Sequence, residues 1–455
     1  MTHKIRTALL ATAACCATLT SPLSAQESLS ASAELEALKS ELARLAARVE
    51  QLESELETVE TKADEASASA QESVKIATST AASAPTATFK AAPELKGEGG
   101  WTFKPRGRIN VDAGFVSAPS STGADSGFDA EARRIRLGVS GKIPGGFGYK
   151  VEADFAEDEV ALTDAILTYS DGGLTLTAGQ HNNFQGLEEL SSSLHTSFIE
   201  RSAWTDAFGF ERRIGASAAY SSGDVLIQGG VFADNSADLP NNNWSLDGRL
   251  VFAPKLGDTQ LHLGGSIHHN MLGEGATVRY RQRPLVHFTD NRFVNTDRFS
   301  AVSETGFGLE AAAISGPFHV SVEGYSQNVN RPEGFEDPSF FGGSVELGYF
   351  LTKGDTRGYK SGTFNRVKPA NPVGAGGIGA VQANIRFDHL DLNDAGIIGG
   401  TQDSYQASLI WTMTDYTRLL LNYALLSYDD AAFPTASGST SYNASVVGVR
   451  AQVDF

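Results

Sequence analysis

Arginine holds the positions most suggestive of chemistry in this 455-residue chain. In Val278-Arg-Tyr-Arg-Gln-Arg-Pro284 the guanidiniums of Arg279, Arg281 and Arg283 alternate, so in an extended segment they project to one side. Arg106 and Arg108 alternate in the same way, as do Arg134 and Arg136. A guanidinium stays charged at any relevant pH, and its planar fork binds phosphate-like oxygens in pairs. Such series suit the binding or passage of anions. On an outer surface the same residues contact lipopolysaccharide or are merely solvated. Enzymatic chemistry has less support. His262 and the pair His268-His269 have no carboxylate or cysteine at ligand-like spacing and read as loop residues. No nucleophile motif marks a serine, and no glycine loop runs into Lys-Ser or Lys-Thr. The expectation is a protein that is no enzyme and uses neither metal nor cofactor.

Strands must carry these arginines. From Trp101 onward, apolar and polar residues alternate with period two. Trp101, Phe103, Ile109, Val111, Ala113 and Phe115 share one face of the first strand, opposite Lys104, Arg106, Arg108, Asn110 and Asp112. In the next strand, Ile135, Leu137 and Val139 oppose Arg134, Arg136 and Ser140. The last strand sets Val447, Val449, Ala451, Val453 and Phe455 against Val446, Gly448, Arg450, Gln452 and Asp454. About sixteen such segments, each long enough to cross a bilayer when tilted, are joined alternately by short turns and long loops. A stacked sandwich accounts for the strands but not for so many inward charges. The expected fold is all-β, a sixteen-stranded antiparallel transmembrane β-barrel.

Other classes are excluded by composition. No run of eighteen apolar residues exists, and a formal charge of −18 argues against nucleic acid as a partner. The N-terminal residues 1–25 read as an export signal: Lys4 and Arg6, an apolar stretch, then Leu23-Ser-Ala25 before the cut. Cys15 and Cys16, the chain's two cysteines, both lie in that segment. Leu35, Leu38, Leu42, Leu45, Val49, Leu52, Leu56 and Val59 then step by three and four, which predicts a coiled coil over 26–66. A flexible linker is expected over 67–100, and a barrel over 101–455. The coiled coil would lie in the periplasm, either oligomerising the chain or reaching peptidoglycan or another periplasmic partner.

Several motifs carry a resemblance to a known family. Phe103-Lys-Pro-Arg-Gly-Arg108, Arg133-Arg-Ile-Arg-Leu-Gly138, Gly186-Leu-Glu-Glu-Leu190 and Phe198-Ile-Glu-Arg201 are among them. So are Phe364-Asn-Arg-Val-Lys-Pro369, Leu390-Asp-Leu-Asn-Asp394 and Arg450-Ala-Gln-Val-Asp-Phe455. Together, and in order from Trp101 to Phe455, they resemble the phosphate-selective porins of the O/P type. The resemblance implies a homotrimer in the Gram-negative outer membrane, in contact with lipid and lipopolysaccharide, passing small anions such as phosphate by diffusion. It also implies that the terminal Phe455 serves as the signal read by the assembly machinery. Arg279, Arg281 and Arg283 resemble the family's arginine ladder. The segment from His181 to Arg212 resembles its constriction loop, with Arg201, Arg212 and Arg213 against Glu188, Glu189, Glu200, Asp206 and Glu211. That loop has no lysine, where phosphate-selective members place lysines. Lys360 and Lys368 match a region that folds in from the periplasmic side. A general porin with weak ion preference, and an envelope tether acting through the coiled coil, are the competing readings.

Overall fold

The structure is a computed structural model that describes residues 27–83, 86–89, 92–157 and 159–455. The expected export signal lies outside the described residues. Two units divide the chain, residues 1–84 and 85–455.

The first unit is a single helix, α1 (Glu27–Ser83). Its heptad side chains, Leu35 through Val59, are all exposed. Lys39 bonds Glu36 and Arg44 bonds Glu41, each at 2.9 Å along the helix surface. The expected linker over 67–100 is corrected in its first half, because the helix continues to Ser83. Ala66, Ala68 and Ala70 have high helix propensity, and Glu72 and Lys75 add good helix formers. The remainder, Thr86–Phe89 and Pro93–Lys96, is an antiparallel hairpin that joins the start of the barrel through Leu95 and Phe103.

Sixteen antiparallel strands form the second unit. They are β1 (Thr102–Ser117), β2 (Gly127–Ile143), β3 (Phe147–Asp154), β4 (Ala161–Asp171), β5 (Leu174–Asn182), β6 (Arg212–Ser222), β7 (Val225–Phe232) and β8 (Trp244–Phe252). After them come β9 (Thr259–Met271), β10 (Ser303–Ser315), β11 (Phe318–Asn330), β12 (Ser339–Phe350), β13 (Ala380–Asp394), β14 (Ile397–Thr414), β15 (Thr417–Asp429) and β16 (Tyr442–Asp454). Each pairs with its neighbour, and β16 pairs with β1 from Ser445↔Ser117 to Asp454↔Arg108. Closure removes both sheet edges, which allows a sheet to sit in hydrocarbon with every backbone group satisfied.

The outward face is apolar and exposed, as in Leu419, Leu421, Tyr423 and Leu425 of β15. Aromatic pairs cross between strands near both ends: Phe147–Tyr169 and Phe318–Tyr349 at one, Phe115–Phe128 and Phe387–Tyr405 at the other. Such girdles mark the two membrane interfaces. Turns at one end are short, such as 144–146, 172–173 and 223–224. The segments 118–126, 183–211, 233–243 and 272–302 are longer and lie at the other end. The exception is 351–379, a long segment at the short-turn end.

Two of these segments fold inward. Segment 183–211 carries two short helices, α2 (Leu187–Leu190) and α3 (Ala203–Ala207), and packs on the wall formed by β11 to β16. Segment 351–379 enters from the opposite end. It meets the first where the Phe364 backbone N–H donates to Ser191 Oγ at 3.0 Å. Phe364 also packs with Leu187, Ala312 and Ile314. The barrel therefore has a core, but it lies to one side.

Candidate functional site

Because both inserts lean on the same wall, the lumen is unevenly filled. Inward residues of β10 to β16, among them Glu310, Glu323, Glu346, Arg386, Gln406, Arg418 and Arg450, are buried. Among those of β3 to β7, Glu152, Asp164 and Gln180 are buried, but Gly148, Lys150, Thr168, Thr177, Ser217 and Gln228 are only half-buried. The water-accessible side of the lumen is therefore the β3–β7 side, flanked by the arginines of β1 and β2.

That side is lined with mixed charge. Arg108 of β1 and Arg136 of β2 are direct cross-strand partners. Glu152 lies 3.6 Å from Arg108, 3.8 Å from Arg136 and 4.0 Å from Lys150. Arg136 Nε donates to Asp154 at 2.7 Å. Asp164 joins Lys150, at 2.6 Å, to Arg212, at 3.3 Å. Among the described residues Arg106 has no salt-bridge partner, although it lies close enough to act electrostatically on Arg108 and Lys150. Cations outnumber anions in this strip: Arg106, Arg108, Arg136, Lys150 and Arg212 against Glu152, Asp154 and Asp164. Closely spaced carboxylates keep each binding position weak, and an ion in transit must leave as readily as it enters.

Toward the long-loop end the strip opens into a cavity of about 310 Å³. Arg133, Arg134 and Arg212 border it on the wall; Arg201, Asp206, Phe210 and Glu211 come from the constriction loop, and Arg283, Leu285 and Val286 from segment 272–302. Arg133 donates to both oxygens of Glu200, and Arg134 stands 3.9 Å from the same carboxylate. Burial pushes the Glu200 carboxyl up, yet Arg133, Arg134 and Arg450 together hold it well below the usual carboxylate range. Burial at the cavity rim pushes Glu211 up to about 7, with Asp238, Asp234 and Glu304 adding to the shift against the pull of Arg213. Leu285 is held at φ +59°, where a branched side chain costs about 1–3 kcal/mol. The turn around it is closed by the Leu285 N–H donating to Arg283 O at 2.7 Å.

The expected site residues therefore divide. Arg106, Arg136 and Arg212 come together on the half-open wall, while Arg108 and Arg134 are buried beside them, Arg108 donating to Ser193 Oγ at 3.0 Å. Arg279, Arg281 and Arg283 do project to one side, since Tyr280 and Gln282 between them are buried. Arg279 donates to Asn295 Oδ1 at 2.9 Å, Arg281 is exposed, and Arg283 alone borders the cavity. Arg201 turns back on its own loop, donating to the carbonyls of Glu188, Glu189 and Ser191. Arg213 is held by Asp234 at 2.6 Å. Lys360 and Lys368 are exposed and do not border this cavity.

The histidines belong to a strand rather than a loop. His268 of β9 meets Asp247 at 2.9 Å, His269 meets Thr305 at 2.9 Å, and His262 meets Tyr359 of the inserted segment at 2.6 Å.

Sequence reasoning missed the residues that fix segment 183–211. Arg450 donates to Asp112 through Nε and Nη2, to Ile199 O at 2.6 Å and to Glu200 at 2.9 Å. Arg386 meets Glu188 at 2.8 Å, and Arg418 donates to Leu194 O and Thr196 O. Glu323 accepts from the backbone N–H groups of Leu187 and Glu188 at 2.7 and 2.9 Å. Their inward phase was readable, but the carbonyls they serve come from a distant loop.

Comparison with known proteins agrees with this architecture. An uncharacterized protein of Caulobacter vibrioides is 47% identical over 389 residues, covering 82% of this chain and 78% of its own. Two structures of OmpT, an outer membrane protein of Vibrio cholerae, share the fold at low identity. The loop L8 deletion mutant aligns with a TM-score of 0.51 at 10% identity, and the in-vitro folded trimer form with 0.50 at 11%. Each alignment covers 78% of this chain and 100% of the other. Residues 103–455 match the family described as phosphate-selective porin O and P, and the chain belongs to that family of outer-membrane porins.

Proposed function

We propose that the chain is a diffusion porin that passes small anions through the arginine-bordered side of its lumen. The observation that carries this reading is the excess of cations on the wall that the two inserted segments leave open. Arg106, Arg108, Arg136, Lys150 and Arg212 attract and guide an anion, while Glu152, Asp154 and Asp164 keep each step reversible. Arg279, Arg281 and Arg283 collect anions at the mouth. The family name points to phosphate, but the lysines expected at the narrowest point are absent and Lys360 and Lys368 do not replace them. Chloride and organic anions fit this wall as well as phosphate does.

The trimer form of OmpT supports a homotrimer. The exposed heptad seam of α1 fits a periplasmic coiled coil that joins three chains. Glu189, Asp206 and Glu211 on the constriction loop favour a second reading, a general porin with weak ion preference.

Replacing Arg106, Arg136 and Lys150 together by Gln tests the first reading. The anion-over-cation permeability ratio in planar bilayers is expected to fall several-fold. An unchanged ratio removes this wall from the mechanism.

A further inference from the structure

The cavity above the charged strip is not built like a site for a small, fully hydrated dianion. Its charged lining consists of the arginines Arg133, Arg134, Arg201, Arg212 and Arg283 against the carboxylates Glu189, Glu200, Asp206 and Glu211. With Glu211 ionised, above about pH 7, five cations against four anions leave one positive charge in excess. His287 also borders the cavity, but its Nδ1 is engaged by Glu131 at 2.9 Å. A second feature is independent of charge. Half-buried Phe210 gives the same cavity an apolar side, with the buried Leu285 and Val286 at its edge. Leu285 and Val286 belong to a hydrophobic cluster with Trp204, Phe293 and Tyr325, against which Phe210 packs. Leu285 keeps a left-handed backbone that the packing around it holds in place.

We infer that this cavity is a vestibule site for an organic monoanion with an apolar body, such as an aryl or branched-alkyl carboxylate. The carboxylate takes up the excess charge among Arg134, Arg212 and Arg283, and the apolar body covers Phe210. A phosphate dianion exceeds the available charge and leaves the apolar side bare. Acetate satisfies the charge but has too little body to cover that side. Burying apolar surface of both partners is what separates these solutes. The inference rests on the anion-porin reading and names the solute class that the vestibule holds.

Single-channel chloride current through the full-length protein in planar bilayers tests it, with benzoate, acetate or phosphate added on the long-loop side. Benzoate is expected to halve the current at a concentration about tenfold below that needed for acetate or phosphate, which is one decade of affinity. Phe210→Ser is expected to bring the benzoate-to-acetate ratio towards one, while Phe210→Leu, which keeps an apolar side chain, leaves benzoate the stronger blocker. Migration of both variants as folded protein on unheated gels separates this result from a folding defect. Equal block by benzoate and acetate, or strongest block by phosphate, in a channel that remains anion-selective overturns the vestibule site alone. A cation-selective channel without benzoate block overturns the anion reading, and the site with it.

Discussion

Gly107 and Phe455 close the barrel. Their backbones exchange two hydrogen bonds, each 3.0 Å, and the Phe455 ring covers the bare Cα of Gly107. A Cβ at Gly107 would come within 2.1 Å of Phe455 Cζ. The terminal aromatic therefore does mechanical work at the seam between the first strand and the last, whatever else recognises it. Gly107→Val is expected to displace the ring and to lower the yield of folded barrel several-fold. The measurement is the fraction that migrates as folded protein on unheated gels of outer-membrane extracts. A full yield from Gly107→Val shows that the ring is not required at the seam.

The constriction loop depends on buried charges that were legible only as inward-facing. Arg450→Met leaves Asp112 buried without its partner, and removing one side of such a pair costs about 3–5 kcal/mol. Urea unfolding in lipid vesicles is expected to show a loss of that order, with noisier single-channel current as Ile199 and Glu200 loosen. Adding Asp112→Leu to Arg450→Met restores most of the stability, because no uncompensated charge then remains. A double variant as unstable as the single one would falsify the pairing account.

Glu211 makes the vestibule sensitive to pH near neutrality. Below about 7 its carboxyl is neutral, and above that it adds a negative charge at the cavity rim. The anion-over-cation permeability ratio is therefore expected to rise as pH falls from 8 to 6. Glu211→Gln holds the ratio near its low-pH value throughout. A ratio that rises with pH, or that titrates unchanged in the variant, assigns the effect to another group.

The helix gives a test that barrel contacts do not confuse. Both cysteines of the sequence lie in the expected export signal, so the mature chain is expected to carry no thiol. Leu45→Cys places one thiol in the heptad seam. If the helices join in a parallel coiled coil, oxidation yields disulfide-linked dimers, whereas Glu50→Cys on the flank yields few. Equal cross-linking at both positions argues for chance encounter rather than a seam.

Much of this fold could be read in the sequence because a water-facing lumen forces alternation. Apolar phase in β1, β14 and β16 locates the lipid side, and the same phase puts Arg106, Arg108, Arg134, Arg136 and Arg450 inside. Alternation does not tell an open lumen from a filled one. Arg450 and Arg136 have the same inward phase, yet loop carbonyls and Asp112 engage Arg450 fully while Arg136 remains half-open. That difference arises from where residues 183–211 and 351–379 dock, through long-range contacts such as Phe364 with Ser191. Arg201 and Lys360 had suitable charges, but the loop backbone takes up one and the other stays exposed. The bulge between the pairs Glu152↔Asp164 and Ala153↔Leu162 likewise breaks the alternation in β4, so that Thr163 and Asp164 are both buried. Helical continuation to Ser83 was obscured by a composition that linkers share.

The central claim is that positive charge on the open wall decides what passes. Its most direct measurement is the zero-current potential of the wild-type channel in a planar bilayer under a KCl gradient. The account predicts a potential with the sign of chloride flux, reduced in magnitude when Arg106, Arg136 and Lys150 are replaced together. A potential near zero, or one with the sign of potassium flux, contradicts it.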